Sequence, residues 1–194
     1  MRIAQSVAST MAEPLATLAE CEAAFDHVMA APKDNAPIEM LCFRPDYGER
    51  DFREELELTV ENGILGERWA KAPWLKLRDG SPDPRIQVSI LGKRTLDLCW
   101  RNRDEVVYPG DTMIADLDLS EANMPPGTRL QAGTAVLEVS DKFNDACPKW
   151  IKRYGRESFN WFNIRENRTH RLRGALCRIV QDGVVRKGDV LHKL

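Results

Sequence analysis

Cys147 stands directly before a proline in the stretch NDACPKWIKRYG, residues 144 to 155, where the residue pattern begins a short helix. Proline suits the first helical position because its missing N–H has no partner to lose there. Pro148 therefore reads as that position, Cys147 as the cap and Gly155 as the stop. A thiol at such a cap faces unpaired N–H groups and the positive end of the helix dipole, which stabilise its anion and lower its pKa. The chemistry open to it is that of a nucleophile or a soft-metal ligand. On a helical wheel Lys149, Lys152, Arg153 and Arg156 form one stripe, and Trp150, Ile151 and Tyr154 form the opposite one, with Cys147 on the aromatic side. The basic stripe reads as a solvated face, so a cation close to Cys147 has to come from another segment. A plainer reading competes: a buried structural cysteine beside Trp150, which the general burial of cysteine favours somewhat.

The other cysteines carry no comparable signal. Cys42 in IEMLCF, Cys99 in LDLCW and Cys177 in LRGALCRIV have apolar, strand-like surroundings, and Cys21 sits on the first helix. No C-x-x-C pair occurs, and five scattered cysteines do not make a disulfide scaffold. His27, His170 and His192 are far apart in sequence, so a histidine-built metal site is not expected. If RLRGALCRIV is a strand, Arg171 and Arg173 share a face with Ala175, Cys177 and Ile179. Two readings follow: an anion clamp at the mouth of the strand, since guanidinium pairs bidentately with phosphate, or salt bridges to an acidic loop such as DLDLSE.

The chain of 194 residues is 43% hydrophobic, an ordinary composition for one well-buried domain with an extension. No apolar run of about 18 residues is present, and MRIAQSVASTMAEP lacks the continuous apolar centre of a signal peptide. The expected location is cytoplasmic, with no membrane partner. The net charge of −2 is unevenly spread: residues 141 to 194 hold 13 Lys+Arg against 6 Asp+Glu, or +7, leaving −9 for the rest. That asymmetry suits phosphate binding, or simply packing of the two parts against each other. Without a basic tail or a recognisable motif, nucleic acid is not an expected partner.

These residues must be positioned by elements of two kinds. EPLATLAECEAAFDHVMAAP has a helical rhythm through Leu15, Leu18, Ala19, Phe25, Val28 and Met29, and reads as one amphipathic helix ending before Pro32. KDNAP breaks the chain, making residues 1–37 an accessory helical extension and residues 38–194 the main domain. From IEMLCF onward, short strand candidates follow one another: RIQVSIL, TRLQAG, TAVLEVS, LRGALCRIV and DVLHKL. DFREELELTVENG reads as a helix, whereas DEVVYPGD, LSEANMPPG and VRKGD read as turns or loops. The expected fold is mainly β, a barrel or sandwich, without the regular strand–helix alternation of a doubly wound sheet. GILGERW lacks the Lys-Ser/Thr of a phosphate loop and the third glycine of a dinucleotide fingerprint.

The succession NGILGERW, QVSIL, YPGDTMIADLDLSEANMPPGTRLQAGTAVLEVS, ACPKW, RYG and LRGALCRIVQDGVVRKGDVL resembles the MOSC family, named after the C-terminal domain of molybdenum-cofactor sulfurase, over roughly residues 39 to 194. The most specific part runs from GTRLQAGTAVLEVS through ACPKW to VVRKGD. The resemblance implies a β-barrel-like MOSC fold and gives Cys147 the role of sulfur carrier, or of thiolate ligand to molybdenum in a molybdopterin cofactor. One soft protein sulfur completes the coordination of a metal that already carries dithiolene sulfurs. Arg68 in GERW, with Arg165, Arg168, His170, Arg171 and Arg173, are the candidates to hold the phosphate of the pterin. After GILGERW, better-known bacterial members continue into a basic His-Gly-Gly loop, where this chain reads AKAPWLKLRDGSPDPRIQVSI. No pyridoxal-phosphate domain is recognisable, so the partners the resemblance implies are a cysteine desulfurase as sulfur donor or an electron-transfer protein. The expected functions are thus a molybdenum-dependent reductase, acting on N-hydroxylated compounds as some relatives do, a persulfide carrier, or a non-catalytic binding module that keeps the fold.

Overall fold

Strands that each turn an apolar face inward have to share an interior, and seven segments of this chain do so. The computed structural model describes residues 13–194. In order they form helices α1 (Leu18–Ala23) and α2 (Phe25–Met29), then strands β1 (Ala36–Phe43), β2 (Asp51–Phe52), β3 (Glu55–Thr59), β4 (Gly63–Ile64) and β5 (Val88–Gly92). Helix α3 (Lys93–Cys99), strands β6 (Met113–Ala115), β7 (Arg129–Ala132) and β8 (Ala135–Val139), and helices α4 (Pro148–Tyr154) and α5 (Arg156–Asn163) follow. Strands β9 (Ala175–Gln181), β10 (Gly183–Arg186) and β11 (Val190–Lys193) complete the chain.

The order β11-β7-β8-β9-β5-β6-β1 closes when β1 pairs with β11, giving a seven-stranded barrel. Every pairing around it is antiparallel except β5–β6, which is parallel and bridged by α3. Strands buried on both faces cannot alternate apolar with polar residues. Accordingly β5 sends Val88 and Ile90 into the barrel and Leu91 outward under the helices, and β6 does the same with Met113 and Ala115 against Ile114. The outer apolar layer is completed by Leu96 and Cys99 of α3, Trp150 and Tyr154 of α4, and Trp161 and Phe162 of α5. Helices therefore cover one side of the barrel. The strand β10, with β3 and β4, forms a small separate sheet.

Three sequence expectations are corrected here. DFREELELTVENG is not helical: Leu56 and Leu58 are buried while Glu55 and Glu57 are exposed, a period of two that places β3 against β10. The charge-rich composition hid that period. Cys99 ends helix α3 instead of lying in a strand. The N-terminal segment forms two short helices joined at Ala24, not one, with Thr17 and Glu20 closing a capping box at the start of α1. It is fastened to the helical layer where Glu157 accepts from the Leu18 N–H and Arg101 pairs with Glu20 at 3.0 Å. The reading of the first 12 residues as lacking a signal-peptide centre lies outside the described residues. Among those described, no helix is long and apolar enough to cross a membrane.

The approach to β9 depends on one glycine. Gly174 has φ +102°, and a Cβ there would sit 2.3 Å from the carbonyl oxygen of Ile90 on β5, a backbone atom that cannot move aside. Gly174→Ala is expected to cost on the order of 3 kcal/mol, lowering Tm by roughly 6–12 °C in a chain of this size. Thermal unfolding checks it, and an unchanged midpoint would show that the strand start is not so constrained.

Candidate functional site

Cys147 caps α4 with extended backbone angles, Pro148 follows at the first helical position, and the helix stops at Gly155, whose φ is +93°. The wheel orients α4 as its apolar stripe demands, with Trp150 and Tyr154 buried. The thiol, however, is not buried. Of the five cysteines it alone is exposed; the other four are buried. The structural reading of Cys147 as a core residue is therefore overturned.

The loop that delivers the thiol is held from several sides. Ala146 adopts φ +64°, a left-handed conformation that costs an alanine about 1–2 kcal/mol. Its N–H donates to Asn144 Oδ1 at 3.4 Å, Asn144 Nδ2 donates to the Arg173 carbonyl at 3.3 Å, and Asn163 Nδ2 of α5 donates to the Asp145 carbonyl at 3.0 Å. These bonds tie the segment before α4 to both α5 and the approach to β9.

Tyr47 is the neighbour that sequence reasoning missed. Lys149 places its Nζ 3.5 Å from the centroid of the Tyr47 ring, and Arg68 lies over the same ring at 5.7 Å. A hydrogen bond from Lys149, with its positive charge, lowers the pKa of this exposed phenol, and Cys147 is close enough for its thiolate to oppose that effect. So Arg68, Tyr47, Lys149 and Cys147 share one neighbourhood, and Lys149 does not belong to a purely solvated face as the wheel suggested. Arg68 is steadied by its N–H donating to the Arg44 carbonyl at 3.0 Å. Arg44 in turn grips the buried Glu67 with two bonds, 2.6 and 2.9 Å long.

The remaining candidates divide into two groups. Arg168 is exposed and lies 4.0 Å from the centre of the Phe143 ring, on the loop leading to Cys147, and Arg165 is exposed one turn earlier. Arg171 and Arg173 do not extend the β9 face: Arg171 is left-handed at φ +47°, and the strand begins only after Gly174. Arg171 is buried, donating to the carbonyls of Met124 at 2.6 Å and Leu119 at 3.4 Å, and lies 3.7 Å from Glu121. It ties down the acidic loop, as the second of the two sequence readings had it. Arg173 Nη1 binds both oxygens of buried Asp111, at 2.8 and 3.0 Å, while its guanidinium lies 4.6 Å from the centre of the Trp150 ring. His170 packs edge-on against Phe25 of α2 and lines a narrow cleft with Arg94 and Asp116. That cleft, at about 20 Å³, has room for about one water.

Burial separates Cys147 from the other thiols chemically. Desolvation pushes Cys21 up to about 11 and both Cys42 and Cys177 up to about 12, and raises Cys99 further still. With an aromatic disulfide reagent the native protein should give one fast equivalent, abolished by Cys147→Ser, and five equivalents after denaturation; two fast equivalents in the native state would contradict this assignment. The buried thiols also fix a sign for alkaline stability. An unfolded thiol titrates near its ordinary value of 9, so the stabilising contribution of these groups is complete below that pH and is lost as pH climbs towards 11 and 12. Each exchangeable thiol contributes a slope of up to about 1.4 kcal/mol per pH unit in that window. Urea unfolding followed from pH 9 to pH 11 should show a falling midpoint, and a flat profile would count against it.

No protein-family model and no curated protein matches the sequence. Solved structures do. The YuaD protein from Bacillus subtilis aligns over 82% of this chain and 97% of its own, at 18% identity and a TM-score of 0.53. YiiM from Escherichia coli aligns over 81% of this chain and 69% of its own, at 17% identity and a TM-score of 0.53. YuaD and YiiM are MOSC-domain proteins. At such identities the likeness carries the architecture and not the chemistry: this chain has a MOSC-like fold.

Proposed function

We propose that this protein uses Cys147 as a soft thiolate on a molybdopterin-type cofactor and takes part in redox chemistry, with N-hydroxylated compounds as the substrates to assay. The observation that carries the reading is the exposure of one thiol among five, at the end of a loop fixed by a left-handed alanine and two asparagines. The residues present fit such a group. A single exposed sulfur is a suitable last ligand for molybdenum that brings its own sulfurs, and Arg68, Lys149, Arg165 and Arg168 are cations free to meet a phosphate. Arg171 and Arg173 are committed elsewhere, to the 119–124 loop and to Asp111, and take no part in the proposed anchoring.

A second reading, a persulfide carrier, is favoured by the exposure of Cys147, which leaves its sulfur within reach of a partner's. The step is balanced without a metal: the Cys147 thiolate attacks the terminal sulfur of a donor persulfide, the new S–S bond forms, and the donor leaves as thiolate. One preparation separates the two readings. Molybdenum and pterin present at about one per chain, and lost in Cys147→Ser, is the result expected for the first. Metal-free protein that takes up no added cofactor overturns it. In that event, one extra sulfur on Cys147 after incubation with a cysteine desulfurase and cysteine supports the carrier, and an unchanged mass rejects it.

A further inference from the structure

The cations of this chain are not distributed like its fold. Outside residues 68–78 and 142–168, thirteen of the sixteen Lys and Arg side chains among the described residues lie within ion-pair distance of a carboxylate. Inside those two stretches there are eleven, and among the described residues none has such a partner. The stretches hold those eleven Lys+Arg against three Asp+Glu, a charge of +8, which leaves −10 for the rest of a chain whose net charge is −2.

The two stretches also meet in space, at both ends. Arg68 and Lys149 approach the ring of Tyr47, while Lys142 lies 6.0 Å from the centre of the Trp74 ring. Between these points Arg85 bonds to Asp141 at 3.2 Å, fastening the 74–82 hairpin beside the loop that leads to Cys147. The hairpin presents Trp74 at 57% exposure and Leu77 at 42%, and Tyr47 is 69% exposed. The result is a basic face on which Arg68, Lys142 and Lys149 are set among exposed aromatic and aliphatic side chains beside the loop to Cys147.

We propose that this face docks an acidic surface of a partner protein over Cys147. The inference rests on the reading of Cys147 as the reactive group and names the class of its sulfur or electron donor. Exposed Tyr, Trp and Arg are the side chains that protein interfaces favour, and complementary charge steers encounter and fixes orientation. Single-stranded nucleic acid is the competing polyanion, but it gains its affinity by stacking bases on open aromatic faces. Here the Tyr47 face is already covered by the Lys149 ammonium at 3.5 Å, and such a cation offers its charge to a carboxylate more readily than the ring offers its face to a base.

The test measures binding of three probes to the full-length protein: a fluorescent Glu/Asp-rich peptide, an oligothymidylate of equal charge, and phosphatidylglycerol vesicles. The peptide should bind at least about tenfold more tightly than the oligonucleotide, weaken steeply with added salt, and be lost in both Lys149→Glu/Lys152→Glu and Arg68→Glu/Lys71→Glu. Arg186→Glu/Lys187→Glu, where both cations already pair with Glu55 and Glu54, should leave it unchanged. Tighter binding of the oligonucleotide or the vesicles, or equal loss in the Arg186/Lys187 variant, overturns the proposal. Cys147→Ser should bind the peptide normally. Retained peptide binding in metal-free, persulfide-free protein therefore sinks only the chemistry assigned to Cys147, whereas absent peptide binding in molybdenum-loaded protein sinks only the docking face.

Discussion

Asp111 and Arg173 meet where three parts of the chain converge: the loop before β6, the approach to β9 and the inner side of α4. The carboxylate is 1% exposed and the guanidinium side chain 12%, with Trp150 of α4 stacked on the latter. An ion pair taken out of water gains little net stability, but removing one partner strands the other charge and costs about 3–5 kcal/mol. Against a usual total of about 5–15 kcal/mol, that makes the pair a constraint on geometry more than a source of stability. What it constrains is the floor of the site. Arg173 also accepts from Asn144 through its carbonyl, so the residue that holds Asp111 sets the loop that presents Cys147. Its Nε is buried without a hydrogen-bond partner, a local cost that the bidentate pair and the Trp150 face offset.

The same loop is gripped from the opposite side. Arg50 donates to the carbonyls of Tyr108 and Pro109, Arg44 to that of Gly110, and Tyr108 donates its hydroxyl to the Asp111 carbonyl at 2.9 Å. Residues 108–111 thus have their backbone carbonyls satisfied by side chains, which is what an irregular segment needs when it is buried between a barrel and a helical layer. Through Arg44 this grip reaches Glu67 and the backbone of Arg68, and so the Tyr47 side of the site. Two arginines just outside the barrel strands, Arg44 after β1 and Arg173 before β9, therefore position the two flanks of Cys147.

Much of the architecture could be read from local pattern, and the failures have a common cause. Helix α4 was legible to the residue because proline at its start and glycine at its end are local signals. β1, β5, β7, β8, β9 and β11 were legible because their apolar residues outweigh their charges. β3 was not, since two leucines among glutamates show their period only against a partner strand far along the chain, at Gly183–Arg186. The site divides in the same manner. Cys147 stood out by its cap, but its exposure depends on the left-handed Ala146 and on Asn163 from the next helix, which no spacing rule encodes. Tyr47, Glu67 and Asp111 were missed because their roles arise from residues brought near by the barrel. Arg171 and Arg173 misled for a related reason: the β alternation was extended through a left-handed arginine and a left-handed glycine, where it does not hold.

Stability cannot explain why the cations around Cys147 have no carboxylate partner among the described residues. An exposed ion pair contributes between nothing and about 1 kcal/mol, so neither pairing these side chains nor leaving them unpaired changes the fold much. The chain carries thirty Asp and Glu, and their near absence from 68–78 and 142–168 leaves like charges facing one another at a small cost in repulsion. Such an arrangement acts beyond contact distance. At physiological salt the field of a lone surface charge fades over about 8 Å, but charges spaced more closely than that reinforce one another. Lys149 and Arg68 share one ring, so their fields add on the Tyr47 side of the thiol. The segment 69–82 contributes to this field with Lys71, Lys76 and Arg78, held in place by Trp69 packed on Gly63 and by the Arg85 bonds to Asp83 and Asp141. Positive charge near the loop that carries Cys147 thus comes also from a separately braced hairpin, whose Trp74 is exposed and faces outward instead of into the barrel.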